Sequence, residues 1–379
     1  MKLLLVMNSS IYLDYNATHP PIESILQKNL HNYIQNFYNP SGPTRYSLDR
    51  QGLLEESRNY FANLAGKPKN SIVFCSTGTE SNHYLVGLLK NTKQISKIYI
   101  SPLEHSSMYG ALEYFGIEPI LLRTDFSGLV DLNDLEKKMK SEPLDVICIY
   151  AANETGVIQP ISEISKITKK YDKHLYSDMM QAFAKIPVDF SCLDGFTCSG
   201  HKIGAGMGSS LVSFSGIEKK SEFKLFHGGN QENGNRAGTE NTFAISCFAE
   251  ATQYQIERME EKEQRLLLFR ERLENSFVEM GIQIISQDSP RLNSTSFVLL
   301  PMDDIDFFMM GMEERKIIIS TGSSCKSRAR EPAFSLLRMG YSKDEALRAI
   351  RISTGIFTQS EEIDRMISCT QELISLLKS

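Results

Sequence analysis

The stretch Ser71-Ile72-Val73-Phe74-Cys75-Ser76-Thr77-Gly78-Thr79-Glu80-Ser81-Asn82 decides the fold class. Its first six residues form a short apolar run with β-branched members, which reads as a buried strand. A glycine-containing turn follows, and Thr79–Lys90 then reads as a helix. Strand, tight loop and helix in that order make the repeating unit of an α/β fold. The unit recurs outward along the chain. Lys97–Ser101 (KIYIS), Asp145–Tyr150 (DVICIY), His174–Asp178 (HLYSD) and Leu211–Phe214 (LVSF) read as further strands, and Ile161–Tyr171 as a further helix. From about residue 45 to 245 this alternation predicts a mostly parallel sheet. Ligands in such sheets bind at the loops beyond the carboxyl ends of the strands.

Downstream, Phe248–Met280 reads as one long charged helix stopped by Gly281, a bridge to a smaller α+β domain. That domain would take its strands from Ile282–Ile285, Ser294–Leu300 and Ile317–Ser320. A last helix, Ser360–Lys378, would be capped by Ser360, with Glu361 and Glu362 in its first turn.

Composition narrows the classes of function. With 379 residues, 41% hydrophobic and 23% charged, the chain suits a globular protein of two domains. A net charge of −5 gives no basic field for nucleic acid or an anionic membrane. The apolar run in Met1–Val6 is too short for a signal peptide, and no stretch approaches transmembrane length. The seven cysteines are scattered, odd in number and never spaced CxxC. They read as reduced thiols in a cytoplasmic compartment, and neither a disulfide frame nor a metal site is expected.

The polar clusters follow predicted strands. Ser76–Asn82 opens a helix, so its free N–H groups and hydroxyls suit a phosphate; a plain helix cap at Ser76 or Thr79 is the commoner use of such residues. His105 reads either as a structural histidine or as a ring stacked on a flat ligand. Asp178 needs a partner if buried, either a cationic ring nitrogen or an arginine. Cys198-Ser199-Gly200-His201-Lys202 places a lysine in a small-residue loop. It reads as an ordinary turn or, if desolvated, as a Schiff-base lysine. Phe226–Thr239 is a glycine-dense polar loop, either a flexible surface segment or one that wraps a ligand or crosses a subunit interface. Cys325 lies among small and basic residues, with Lys326, Arg328 and Arg330 nearby, which favours its thiolate. Arg351 could clamp a carboxylate. Phosphate cradle, stacking histidine, ring-nitrogen carboxylate and Schiff-base lysine together are what a pyridoxal phosphate site needs.

With those residues in place, the chain resembles the cysteine desulfurases of the NifS/IscS type, in the class V group of fold-type I pyridoxal phosphate enzymes. The resemblance runs from Tyr12-Leu13-Asp14-Tyr15-Asn16-Ala17-Thr18 to Arg351-Ile352-Ser353-Thr354-Gly355. It rests most on Ser199-Gly200-His201-Lys202, Arg236-Ala237-Gly238-Thr239-Glu240-Asn241 and Gly322-Ser323-Ser324-Cys325. It implies a large cofactor-binding domain over 15–250, with a mostly parallel seven-stranded-type sheet flanked by helices. The small domain would comprise 1–14 and 251–379 and carry the Cys325 loop. It also implies that Lys202 bears the cofactor, Asp178 pairs with the ring nitrogen, Gln181 bonds the ring hydroxyl and His105 stacks on the ring. Gly78, Thr79, Ser199 and His201 would hold the phosphate, with Thr239 contributed by the other subunit of a homodimer. Asn153 and Arg351 would hold the substrate carboxylate, and Cys325 would accept sulfur from L-cysteine, leaving L-alanine. The implied acceptor is an iron–sulfur scaffold or a tRNA- or DNA-modifying enzyme. Housekeeping members carry a tail beyond the last helix that helps dock the scaffold, whereas this chain ends at Ser379. Met179-Met180 stands where smaller or polar residues commonly follow the aspartate. Another class V enzyme, an aminotransferase or selenocysteine lyase, is the alternative, and Cys325 discriminates against it.

Overall fold

The computed structural model describes residues 10–214, 223–322 and 331–378. The chain enters through a short strand, β1 (Ile11–Tyr12), and two helices, α1 (Glu23–Gln35) and α2 (Arg45–Ala65). The alternation then begins: β2 (Ile72–Cys75), α3 (Gly78–Lys93), β3 (Lys97–Ile100), α4 (Ser106–Tyr114) and β4 (Glu118–Leu121). It continues through α5 (Leu132–Ser141), β5 (Val146–Ile147), α6 (Ile161–Lys170), β6 (Leu175–Asp178), β7 (Gly195–Ser199) and β8 (Ser210–Phe214).

Among the described residues these strands form a seven-stranded sheet in the order β2-β8-β7-β6-β5-β3-β4. β8 runs antiparallel to both of its neighbours, and the remaining pairs are parallel. Parallel strands need helical crossovers, so both faces are covered and the strands are buried except at the β4 edge. One face packs on an aromatic cluster in which Phe61 and Phe248 lie 4.7 Å apart, with Phe183 and Phe196 beside them. The other packs on α3 and α4 through Leu85, Ile98, Ile100 and Met108. Each such side chain contributes roughly 1.5–3 kcal/mol through burial.

The single long helix predicted over Phe248–Met280 is two helices, α7 (Thr242–Glu257) and α8 (Met259–Glu279), broken at Arg258 with φ −110° and ψ 10°. The apolar period continues across the break, but the surfaces to be covered differ. α7 packs on α1 and α2 beside the large sheet, while α8 packs on the second sheet and the last helix. One straight cylinder cannot follow both. The Arg258 guanidinium lies over the Tyr254 ring at 3.8 Å and so covers the bend.

Beyond Gly281 (φ +82°) come β9 (Gln283–Ile284), β10 (Thr295–Leu299), α9 (Ile305–Glu314), β11 (Ile317–Ile318) and β12 (Ser320–Thr321). α10 (Phe334–Met339), α11 (Lys343–Leu347), β13 (Ala349–Ser353) and α12 (Ser360–Lys378) complete the chain. β12-β13-β10-β9 form an antiparallel sheet. The strand expected over Ile317–Ser320 is therefore split: Ile317–Ile318 pairs in parallel with β1, and Ser320 turns to β13. Ser360 lies inside α12, where its Oγ accepts from Arg272 Nη1 at 2.9 Å, so it is not the cap. Asp14 bridges Ser353 beside the second sheet. The following residues, Asn16–Thr18, are thereby delivered to the loops of the first.

Candidate active site

Beyond the carboxyl ends of β2, β3, β5, β6 and β7 lies a cavity of about 240 Å³, where switch-point geometry places ligands in α/β folds. Each wall comes from one strand–loop junction. After β2, Thr77 caps α3 by accepting from Glu80 N–H, so the cap is neither Ser76 nor Thr79. Gly78 and Thr79 then present the first turn of α3 to the cavity. A Cβ at Gly78 would come within 2.8 Å of Met180 Cε, so glycine keeps this wall thin. Arg236 fixes the loop from behind, donating to Glu80 Oε1 (2.8 Å) and Ser76 Oγ (3.0 Å).

After β3 comes His105, the N-cap of α4. The Ser107 N–H donates to His105 Nδ1 at 3.2 Å, so Nδ1 is an acceptor and Nε2 carries the ring proton. Burial lowers the His105 pKa, opposed by Asp178 and reinforced by Lys202. A neutral ring is the form suited to stacking. After β5, Asn153 lines the cavity. Asp178 ends β6, 2% exposed. Its Oδ1 accepts from Met180 N–H (2.9 Å) and its Oδ2 from Asn82 Nδ2 (2.8 Å). Among the described residues no lysine or arginine pairs with it.

The turn after β7 carries His201 and Lys202. Gly200 permits it, since a Cβ there would meet Ser209 Oγ at 2.6 Å. Lys202 Nζ donates to the carbonyls of Asn16 (2.7 Å) and Ala17 (2.8 Å). Burial lowers its pKa to about 8, with Arg351 adding to the shift and Asp178 and Asp14 opposing it. An amine so poised is accessible in its nucleophilic, neutral form near physiological pH. His201 Nδ1 meets Thr18 Oγ1 at 3.2 Å, and burial pushes its pKa down to about 4.

Pyridoxal phosphate fits this donor set. The unpaired, buried Asp178 carboxylate suits a cationic ring nitrogen. The start of α3 suits a phosphate, and the Lys202 amine suits a Schiff base.

The class-V aminotransferase family model matches residues 11–366. The chain belongs to the class-V aminotransferase family. Within that family it is 30% identical to the cysteine desulfurase IscS of Dictyoglomus turgidum, over 98% of this chain and 96% of that protein. A solved NifS-like protein from Rickettsia africae superposes with a TM-score of 0.86 at 31% identity, covering 97% of this chain and 99% of that one. SspA, solved in complex with cysteine, superposes at 0.77 with 25% identity, over 92% and 100% of the two chains.

In this class-V aminotransferase the structure gathers Gly78, Thr79, His105, Asn153, Asp178, Gln181, His201 and Lys202 around one cavity. Three expected residues lie elsewhere. Ser199 is buried behind the turn, its Oγ donating to the Ser209 carbonyl at 3.2 Å. Thr239 lines a separate cleft with Ser76, Arg236 and Asn241. Arg351 is buried, donating from Nη2 to Asp14 Oδ1 (2.7 Å) and from Nη1 to the Asn153 carbonyl (2.9 Å). Its Nε has no partner. Cys325, with Lys326, Arg328 and Arg330, lies outside the described residues.

Three groups went unread in the sequence. Asn82, inside the quoted β2–α3 stretch, is the Asp178 partner. Asn16 acts through its carbonyl, which no side-chain pattern reveals. Glu232, in the loop open to reading as flexible, is 3% exposed and holds Arg58 bidentately (2.7 and 2.8 Å) while accepting from Phe74 N–H.

Proposed function

We propose that this class-V aminotransferase is a pyridoxal phosphate-dependent cysteine desulfurase acting on L-cysteine. The observation that carries the reading is a buried carboxylate, Asp178, facing the same cavity as a lysine with a depressed pKa, neither paired with an opposite charge among the described residues. Similarity to cysteine desulfurases over nearly the full length selects the reaction among those that such a site supports.

When bound, the cofactor supplies an electron sink for bond changes at the substrate Cα and Cβ. The chain's own residues do the rest. The start of α3 at Gly78 and Thr79, with His201, would hold the phosphate, and Ser199 would join them by exchanging its bond to the Ser209 carbonyl for one to the phosphate. Gln181 would bond the ring oxygen, and His105 would cover the ring face. Asn153 would orient the substrate carboxylate, and Arg351 would join it by exchanging its bond to Asp14 for one to the substrate. Lys202, once its amine is free, takes the Cα proton as a base. The Cys325 thiol accepts the sulfur: L-cysteine and thiol become L-alanine and a Cys325 persulfide, with atoms balanced. The persulfide then passes to an acceptor, an iron–sulfur scaffold or a tRNA- or DNA-modifying enzyme.

We also propose a homodimer in the cytoplasm, with the division into 15–250 and the remainder as its two domains. Leu30, Ile34 and Phe37 at the end of α1 are exposed, as are Tyr46 and Leu48 on α2, and Phe37, Tyr38 and Tyr46 stack in sequence. A contiguous apolar surface of this kind suits a second copy, which would bring its Thr239 to the phosphate. Among the described residues no helix is long and apolar enough to cross a membrane. The described cysteines are all buried and free, which suits a reducing compartment.

Incubation of the loaded protein with L-cysteine should release alanine and leave one extra sulfur on the Cys325 peptide by mass. Cys325→Ala should keep the cofactor and lose the persulfide. Undiminished alanine release by that variant with an external thiol would contradict the mechanism.

A further inference from the structure

A second, smaller cavity lies behind Lys202, lined by Tyr15, His19, Lys185, Lys262 and Glu263 among others. Lys185 reaches from it to the larger one through a single hydrogen-bonded chain. Lys185 Nζ donates to Gln181 Oε1 at 2.6 Å. Gln181 Nε2 donates to the Asn16 carbonyl at 2.9 Å, the same oxygen that accepts from Lys202 Nζ at 2.7 Å. The amide orientation is forced by chemistry. A carbonyl oxygen only accepts, so the nitrogen end must face Asn16 and Lys202, and the oxygen end must face Lys185. Gln181 and Lys202 line the larger cavity, while Lys185 lines only the smaller one.

We propose that Lys185 is a positioning residue: by holding Gln181 Oε1 it keeps the amide's N–H end, and not its carbonyl end, toward a ring oxygen of the cofactor. The proposal rests on pyridoxal phosphate occupying the larger cavity. A donor at that oxygen favours its anionic form and so weakens the hold on a proton shared with the Lys202 nitrogen. Burial drives the Lys185 pKa well below its ordinary value, with Lys202, Lys262 and Arg351 lowering it further and Glu263 opposing. Without Lys185 the oxygen end loses its donor, and only the Asn16 carbonyl still favours the present orientation of the amide. The weaker hold on that orientation raises the pH at which the cofactor-loaded protein gives up that proton.

The test is the midpoint of the absorbance change with pH in protein loaded with pyridoxal phosphate, at fixed ionic strength. Lys185→Met should raise the midpoint by about one pH unit, a tenfold tighter proton. Gln181→Leu should raise it as well. In the Gln181→Leu background, Lys185→Met should add less than about a third of its own shift, because the two act in series. An unmoved midpoint in Lys185→Met overturns the proposal. So does a full additional shift in the double variant, which would mean that Lys185 acts by charge alone. Should Lys185→Met fail to load, Lys185→Arg keeps the cationic donor. A wild-type midpoint there supports the proposal, and one matching Gln181→Leu overturns it. Wild-type protein that takes up no pyridoxal phosphate overturns the functional reading and this proposal together.

Discussion

Two charged regions lie on opposite sides of the first turn of α3, and they are built differently. Behind it, charges meet opposite charges of the chain. Arg58 and Glu232, with side chains 2% and 1% exposed, form a bidentate ion pair, and Arg236 pairs with Glu80. In front of it, around the cavity, among the described residues Asp178 has no cation, and Lys202 and Lys185 are held by amide and carbonyl oxygens only. A buried charge left unpaired is costly, so its presence implies a partner from outside the chain or a shifted pKa. The rear region holds the β2–α3 loop in shape. The front region is completed by what binds.

If that contrast is right, substitutions on the two sides should separate cleanly. Lys202→Ala should lower alanine release from cysteine by about a thousandfold or more while the melting temperature of the cofactor-free protein stays level or rises. Asp178→Asn should keep the fold and cost about a hundredfold in kcat, the usual scale for losing a fixed charge at developing charge. Arg58→Ala should do the reverse. It strands the Glu232 carboxylate in the core and should cost about 3–5 kcal/mol in denaturant unfolding. Activity per folded molecule should fall far less than for the other two variants. An Arg58→Ala protein of unchanged stability would break the comparison.

The smallest effect is on pH. His19 and His201 both have pKa values lowered to about 4 by burial. Unfolded histidines bind protons near pH 6.5, so between about 6.5 and 4 the unfolded state holds more protons than the folded one. The histidine contribution to stability is therefore complete above that window and is lost as pH falls through it. His19→Gln should flatten this part of the stability–pH curve, as urea midpoints at pH 7 and pH 5 would show.

Much of the front region was legible because it follows strand–loop–helix grammar. Asp178, His105, Lys202 and Gly78 each come directly after an apolar run, and the sheet rule brings such positions together. What escaped reading depends on distance in the sequence. The carbonyl of Asn16 meets Lys202 across 186 positions, and Arg58 meets Glu232 across 174. Neither leaves a local pattern. Nor does the break at Arg258, where the apolar period runs on while the surface beneath changes. The engagement of Arg351 by Asp14 was hidden for a related reason. The two residues lie 337 positions apart, so their bond leaves no local pattern either.

The claim that the unpaired front charges await the cofactor can be tested at a single atom. Pyridoxal phosphate is added to the protein, the imine is reduced with borohydride, and the labelled peptide is mapped by mass. Lys185 and Lys262 are also buried lysines with lowered pKa values, so burial alone would let them react. The structure predicts one adduct per chain, on Lys202. Labelling spread over Lys185 or Lys262, or absent from Lys202, would contradict it.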